Sequence, residues 1–271
     1  MSPELVTILV CLFASFFAGV GTGFVGMSAA VAITPILMGF LGVPHFEATA
    51  IALASDVLAS AGAAIMYAHH KNVDIKNGLI LMITVLIFTF GGTVVAYYVP
   101  STTMGIGTLV SVTLMGFKML FFPTTRFGRK KKDLTKTKKL IYSIIFGALI
   151  GFVCGFIGAG GGMLLLLVLT VFLGYEMHMA VGTSVFVMTF SAFTGSAFHI
   201  LYQGVINPTP TTNIHNINFN AMILCVIFTT LFSIIASRFA NKMKEKTLNI
   251  VSGIMLLCIA VTVFIVQMVS K

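Results

Sequence analysis

The chain has very little charge for its length. Of its 271 residues, 8% are charged and 58% are hydrophobic, and its mean hydropathy is +1.07. A soluble domain carries about 25% charged residues, so this chain lacks the polar surface that would cover its core in water. Its apolar runs are continuous and do not alternate every second residue, which excludes a membrane β-barrel. The composition therefore predicts a polytopic, all-α membrane protein.

Catalytic and metal-binding patterns are also missing from the sequence. It contains no H-E-x-x-H, no G-x-S-x-G and no Walker motif. Its four cysteines lie inside apolar runs without C-x-x-C spacing, and its histidines do not gather at ligand spacing. We therefore expect no enzyme activity, no cofactor and no metal site. Because no soluble nucleotide-binding domain is evident, a primary pump acting alone is not expected either.

What the sequence does contain is a glycine-rich block that occurs twice. Residues 19–42 read GVGTGFVGMSAAVAITPILMGFLG, and residues 151–174 read GFVCGFIGAGGGMLLLLVLTVFLG. One constant offset aligns four glycines and a phenylalanine of the first block with those of the second: Gly19, Gly23, Phe24, Gly26 and Gly42 with Gly151, Gly155, Phe156, Gly158 and Gly174. A duplicated, glycine-broken apolar block is typical of a secondary transporter built from two structural repeats.

Ten apolar segments divide equally between the two halves. They are predicted at 5–19, 29–42, 46–69, 77–98 and 103–122, and at 140–157, 162–174, 178–202, 218–240 and 246–268. Three segments in each half are long enough to cross about 30 Å of hydrocarbon. The first two in each half are shorter, so each short pair is predicted to be a broken helix or a re-entrant hairpin. The predicted organisation is a first transmembrane repeat at 1–122, a basic linker at 123–139 and a second transmembrane repeat at 140–271.

Lysine and arginine are concentrated in a few connections. The linker sequence RFGRKKKDLTKTKK and the turns near 70–76 and 241–246 are basic, whereas the turns at 99–103 and 203–217 contain no Lys or Arg. The positive-inside rule places the basic connections in the cytoplasm and both termini outside a plasma membrane. The two halves then have opposite orientations, which is inverted topology. We assign the linker to anionic lipid head groups and not to nucleic acid. Because Glu4 and no basic residue precedes the first apolar run, we expect a membrane segment there and not a signal peptide.

The two glycine turns are the first candidate site. Each leads into a short apolar helix, whose free N–H groups and positive dipole end favour an anion. The candidate residues are Gly26 and Ser28 in the first turn, and Gly158, Gly160, Gly161 and Gly162 in the second. The alternative is that glycines only allow close helix packing, which we expect for Gly19, Gly23, Gly151 and Gly155. We expect the two turns to approach each other near the midplane.

Small hydroxyl residues near the start of the third segment of each half are the second candidate. Residues 48–56 read ATAIALASD, and the aligned residues 180–188 read AVGTSVFVM. The hydroxyl donors suited to an oxyanion are Thr49, Ser55, Thr183 and Ser184. The alternative for each is a helix–helix hydrogen bond, or a bond to a carbonyl one turn earlier.

Two further residues stand out in the apolar segments. Asp56 is an ionisable group about ten residues into its segment, where charge is costly, so it is a candidate for proton or cation coupling. A plain internal hydrogen bond is the alternative, and the aligned residue of the second half is Met188. His199, which aligns with Tyr67, is a candidate for contact with substrate.

Several motifs follow one another in a recognisable order. They are the paired blocks GTGFVGMSAAVAITPIL and GFIGAGGGMLLLLVL, the A-x-A at 48–50, the AVGTS at 180–184 and the basic central loop. Together they resemble the TauE/SafE sulfite exporter family, also called the toluene sulfonate uptake permeases, over residues 8–268. The first half departs from the family pattern at Ser28 and Ala29, where more glycine is usual.

The resemblance implies a bacterial or archaeal plasma-membrane transporter of a small sulfur-containing anion such as sulfite, a sulfonate or thiosulfate. We therefore expect a secondary transporter that works by alternating access. The alternatives are an anion channel and a membrane subunit of a larger complex.

Overall fold

The computed structural model describes residues 3–43, 45–96, 136–157, 161–198 and 219–269, together with seven positions between 110 and 121 (110, 113, 114, 116, 117, 120 and 121). Regular structure in this described part is helical throughout. The helices are α1 (Pro3–Val25), α2 (Ala30–Leu41), α3 (His45–His69), α4 (Ile75–Ala96), α5 (Lys136–Ile157), α6 (Gly161–Leu167) continued by a π-helix (Val168–Phe172), α7 (Met177–Phe198), α8 (Phe219–Lys242) and α9 (Glu245–Val269).

Six of these helices are long and apolar enough to cross a membrane. The spans are Glu4–Val25, Glu47–His69, Ile75–Gly92, Met177–Ala197, Phe219–Lys242 and Glu245–Ile265. Large apolar side chains such as Ile65, Ile87 and Phe193 stay exposed on their outer faces, as lipid-facing residues do. The prediction of an all-helical, multi-pass membrane protein is therefore confirmed.

The two short helices lie in the core of this bundle. Seven residues of α2 are buried, among them Ile33 and Leu37. In the second half, Leu165, Leu166 and Leu169 of α6 and its π-helical continuation are fully buried. Each short helix ends in a glycine with left-handed backbone, Gly42 at φ 63° and Gly174 at φ 68°. These two glycines are an aligned pair of the repeat, so the two blocks share a helix terminus as well as a sequence pattern.

The prediction that the first helix of the first half is short was wrong, since α1 contains 23 residues and continues past its predicted end at residue 19. In the second half, α5 ends at Ile157 as predicted, and its apolar part, Leu140–Phe156, is one of the shorter apolar helices. Gly19 and Gly23 remain helical because α8 packs closely against them. A methyl group would lie 2.6 Å from Thr229 O if placed on Gly19, and 2.6 Å from Ala236 Cβ if placed on Gly23. Gly151 contacts Val85 of α4 in the same way. The packing role expected for these three glycines is thus confirmed.

Contacts along the helices fix their directions in the first half. The Tyr67 hydroxyl, near the end of α3, donates to Gly23 O near the end of α1 at 2.9 Å, so these helices run the same way. The start of α2 lies at Asp56, midway along α3, and α2 ends just before α3 begins. Helix α2 therefore runs back against α1. The α1–α2 hairpin begins and ends at the end of the bundle where α3 starts.

The second half has its hairpin at the other end of the bundle. Helices α4 and α5 run parallel, since Gly147 packs on Thr84 and, further along both helices, Gly92 packs on Phe152. After the π-helix, the chain lies beside the turn between α3 and α4, where the Tyr175 hydroxyl donates to Asp74 at 2.7 Å. We call this the basic end of the bundle, because it carries Lys71 and Lys76 beside the α3–α4 turn, and Lys242 and Lys244 beside the α8–α9 turn. The Asn72 amide donates to Asn241 Oδ1 at 2.8 Å and joins those two turns.

Candidate functional site

The two glycine turns meet inside the bundle. The carbonyl oxygen of Gly26, directly after α1, lies against the α-carbon of Gly162, at the start of α6. Gly26 has a φ of +69°, and the hydroxyl of Ser184 lies directly over its α-carbon. The sulfur of Met188 also lies against Gly162. We call Gly26, Gly162, Ser184 and Met188 the junction; a side chain at either glycine would force the two halves apart.

The N-terminus of α2 is already occupied by a carboxylate of the chain itself. Asp56 is 1% exposed, and its Oδ2 accepts a hydrogen bond from Ser28 Oγ at 2.7 Å. Its Oδ1 accepts from the Ala29 backbone N–H at 3.1 Å. The Ala30 N–H in turn donates to Ser28 Oγ at 3.3 Å. In the first half, the donors predicted to hold a substrate anion therefore hold Asp56 in this conformation.

The equivalent position in the second half has no such carboxylate among the described residues. Met188, the aligned partner of Asp56, contacts Gly162 through its sulfur, and the Cys154 thiol lies against Gly161. Both glycines are buried. The start of α6 is thus covered by sulfur atoms, which accept hydrogen bonds only weakly.

The predicted hydroxyl donors divide into three groups. Ser55 donates to Ile51 O and Ser184 donates to Val181 O, both at 2.8 Å, which are bonds to the preceding turn. Thr183 Oγ1 accepts from the Asp74 N–H at 3.0 Å, a contact between the two halves. Thr49 Oγ1 is buried and has no hydrogen-bond partner within the described residues. Gly158, Gly160 and His199 lie outside the described residues.

Sequence reasoning missed a hydrogen-bonded group at the basic end. Asp74 Oδ2 accepts from the Tyr175 hydroxyl at 2.7 Å and from the Asn77 amide at 2.6 Å, while the Asn77 backbone N–H donates to Asp74 Oδ1 at 3.1 Å. Burial and then the bond to Asp74 raise the pKa of Tyr175 above its ordinary value, so its hydroxyl keeps its proton. The only sequence signal was the position of Asp74 just before a helix, which is typical of an N-cap.

Two other features bear on which ligands the molecule holds. Within the described residues, no three His, Cys, Asp or Glu side chains gather as metal ligands would. A surface groove of about 500 Å³ is lined by apolar residues of α1 and α8, namely Leu9, Leu12, Phe13, Phe16, Phe17 and Phe232. Its lining offers no donors for an anion, so this groove is not a candidate anion site.

Comparison with known proteins gives one match. The model of the family described as Sulfite exporter TauE/SafE matches residues 11–263. Neither the curated proteins nor the solved structures contain a match to the chain.

Proposed function

The chain belongs to the Sulfite exporter TauE/SafE family, and from that premise we propose that it is a secondary transporter of a small sulfur-containing anion. The family is one of membrane transporters, and six apolar helices of this chain are long enough to cross a bilayer. The observation that carries the proposal is the contact of Gly26 with Gly162, since it joins the two repeated blocks at one buried point. Transporters with internal repeats bind their substrates at the interface of those repeats.

The two halves form an inverted repeat in this proposal. Helix directions support it: the α1–α2 hairpin begins and ends at one end of the bundle, whereas the hairpin of α5 and α6 begins and ends at the basic end. By the positive-inside rule the basic end and the linker face the cytoplasm, and both termini face outward. A site between two such hairpins is exposed to one side at a time when one half rocks against the other.

The anion binds at the junction, between the halves. Ser184 lies over Gly26. Thr49, whose buried hydroxyl has no partner among the described residues, is a further proposed contact. The other proposed contacts are Gly26, Ser28, Ser55, Gly158, Gly160, Gly161, Gly162, Thr183 and His199. An inside-negative potential drives a monoanion outward by about 2.3 kcal/mol per 100 mV, so export needs no coupling ion. For uptake, Asp56 is the proposed coupling group, because a carboxylate buried in an apolar segment is costly to keep charged.

Flux into proteoliposomes tests this function. Purified protein is reconstituted with a potassium-set membrane potential, and uptake of labelled sulfite is measured against sulfate, thiosulfate and a sulfonate. We expect saturable uptake of one sulfur anion that changes with the potential. Uptake that stays linear with concentration and shows high conductance would replace the transporter with a channel. If none of these anions moves although the protein is correctly inserted, the proposed substrate class is wrong.

A further inference from the structure

We infer that Asp74 and Tyr175 form a latch between the two halves, which closes the path from the basic end to the junction in this conformation and opens when the site faces that end. The inference rests on the proposed alternating access. It identifies the hydrogen bond between Tyr175 and Asp74 as the contact that has to break before the site can face the basic end.

The latch residues come from opposite halves and are joined directly. Asp74 lies in the turn between α3 and α4, and Tyr175 follows the left-handed Gly174 at the end of the second hairpin. The Tyr175 hydroxyl donates to Asp74 Oδ2 at 2.7 Å. Hydrogen bonds to a charged acceptor are stronger than those between neutral groups, so this one can bias a two-state equilibrium.

Close packing seals the region around this hydrogen bond. The carbonyl oxygen of Asn72 lies against the α-carbon of Gly182, with no room for a side chain there. One turn further on, Gly78 is also closely packed: a methyl group placed on it would lie 3.2 Å from the Phe186 ring and 3.3 Å from the Thr183 methyl group. The first turn of α4 and the start of α7 therefore touch without space for a water-filled path between them.

The latch is also connected to the junction through α7. Thr183 Oγ1 accepts from the Asp74 N–H at 3.0 Å, and the next residue, Ser184, lies over Gly26. Displacement of the α3–α4 turn from α7 thus acts one residue away from the proposed anion site. The π-helix Val168–Phe172 lies just before Tyr175 in the chain, and π-helical turns occur frequently at functional sites.

A native thiol reports whether the path is open. Cys154 is partly buried against Gly161 beside the junction, whereas Cys11 and Cys225 are fully buried. Cys258→Ser removes the exposed cysteine and provides the background for all variants. Labelling of Cys154 by a membrane-impermeant methanethiosulfonate is followed from each side of oriented vesicles. The side from which Lys71→Cys reacts identifies the basic end independently of any topology rule, because Lys71 is exposed in the α3–α4 turn.

The test variant is Tyr175→Phe, which removes the hydroxyl and keeps the ring. Tyr142→Phe is the matched control, since it makes the same change at a side chain of α5 that is 37% exposed and belongs to neither the latch nor the junction. We expect Tyr175→Phe to label about tenfold faster than its parent from the basic end, which corresponds to about 1.4 kcal/mol, and at the parental rate from the opposite side. Thr183→Val, which removes the acceptor of the Asp74 N–H, is expected to change labelling in the same direction.

Three results would overturn the latch. They are an unchanged labelling rate in Tyr175→Phe, an equal increase from both sides, and an equal increase in Tyr142→Phe. Because labelling needs no substrate, failure of sulfite flux with one-sided acceleration of labelling would refute the proposed cargo and leave the latch standing. The reverse pattern, flux with unchanged labelling, would refute the latch alone.

Discussion

The two hairpins share a backbone plan and differ in the chemistry at its centre. In both halves, a short helix starts midway along the following long helix and ends in a left-handed glycine, Gly42 or Gly174. In the first half, the contact at its start is made by a carboxylate and a hydroxyl, Asp56 and Ser28. In the second half, the equivalent contact is made by a thioether, at Met188.

This difference indicates a division of roles between the halves. The first short helix is held by hydrogen bonds from Ala29 and Ser28 to Asp56, and α1 beside it is held by Tyr67. Among the described residues, the start of the second short helix is held by packing on Met188 and Cys154. Packing between apolar atoms is less directional than hydrogen bonding. We therefore expect the first hairpin to be the fixed partner and the second to be the one that moves.

The largest effect is expected where the halves touch. Gly162→Leu places a side chain where Gly26 O and Met188 Sδ already lie, so it should separate the halves and reduce flux by at least about 100-fold, as misplacement by about 1 Å does in other sites. Gly91→Leu is the control, because Gly91 faces open space on the exposed side of α4. Flux of Gly162→Leu at the level of Gly91→Leu in proteoliposomes would remove the junction from the mechanism.

The next effect comes from making the first half resemble the second. Asp56→Met leaves the Ala29 N–H and the Ser28 hydroxyl buried without their acceptor, so it should reduce the free energy of unfolding by about 1–3 kcal/mol. Met188→Leu, the control, should cost less than about 1.5 kcal/mol because it preserves volume and polarity. Thermal unfolding in detergent is followed by far-ultraviolet circular dichroism, since the chain has no tryptophan. Equal shifts of Tm for the two variants would show that Asp56 does not anchor α2.

A smaller effect tests whether Asp56 couples transport to a proton. It concerns how uptake varies with pH and not the maximum rate of uptake. Asp56→Asn keeps a side-chain oxygen for the Ala29 N–H but carries no titratable proton. If Asp56 exchanges a proton during transport, uptake of a sulfonate should depend on pH in the parent and much less so in this variant. A sulfonate is the suitable substrate because its own charge is constant near neutral pH. Glu4→Gln, an exposed carboxylate in the first turn of α1, is the control; a parental profile in Asp56→Asn would make Asp56 structural only.

The sequence predicted the fold well wherever apolar length decided it. Nine of the ten predicted segments correspond to helices α1–α9, and the described positions near 110–121 include Gly116, which packs on Leu257 of α9. The predicted end of the first helix was wrong at α1, because glycine disfavours a helix in isolation but permits the close contact that stabilises it here. Local sequence does not reveal which neighbour is present.

The candidate site was predicted only in part, because its contacts also depend on neighbours that are distant in the sequence. The repeat itself indicated that the two glycine turns belong together, and the structure brings Gly26 into contact with Gly162. The partner of Asp56 was not predicted, since Ser28 lies 28 residues away. Asp74 and Tyr175 are separated by 101 residues and belong to turns that read as ordinary surface. The Asp74–Tyr175 contact depends on how the two halves dock, which a pattern of residue types does not encode.

The smallest effect concerns the feature that the two halves share. Gly42→Ala and Gly174→Ala each place a Cβ on a left-handed residue that faces open space, so each should reduce the free energy of unfolding by about 1–2 kcal/mol through backbone strain alone. Asn, which tolerates this conformation better, should cost less at both positions. The two stability losses should be equal, but only Gly174→Ala should also change Cys154 labelling from the basic end, because Gly174 directly precedes Tyr175 of the latch. Equal labelling changes in both variants would mean that the second hairpin has no special part in the motion.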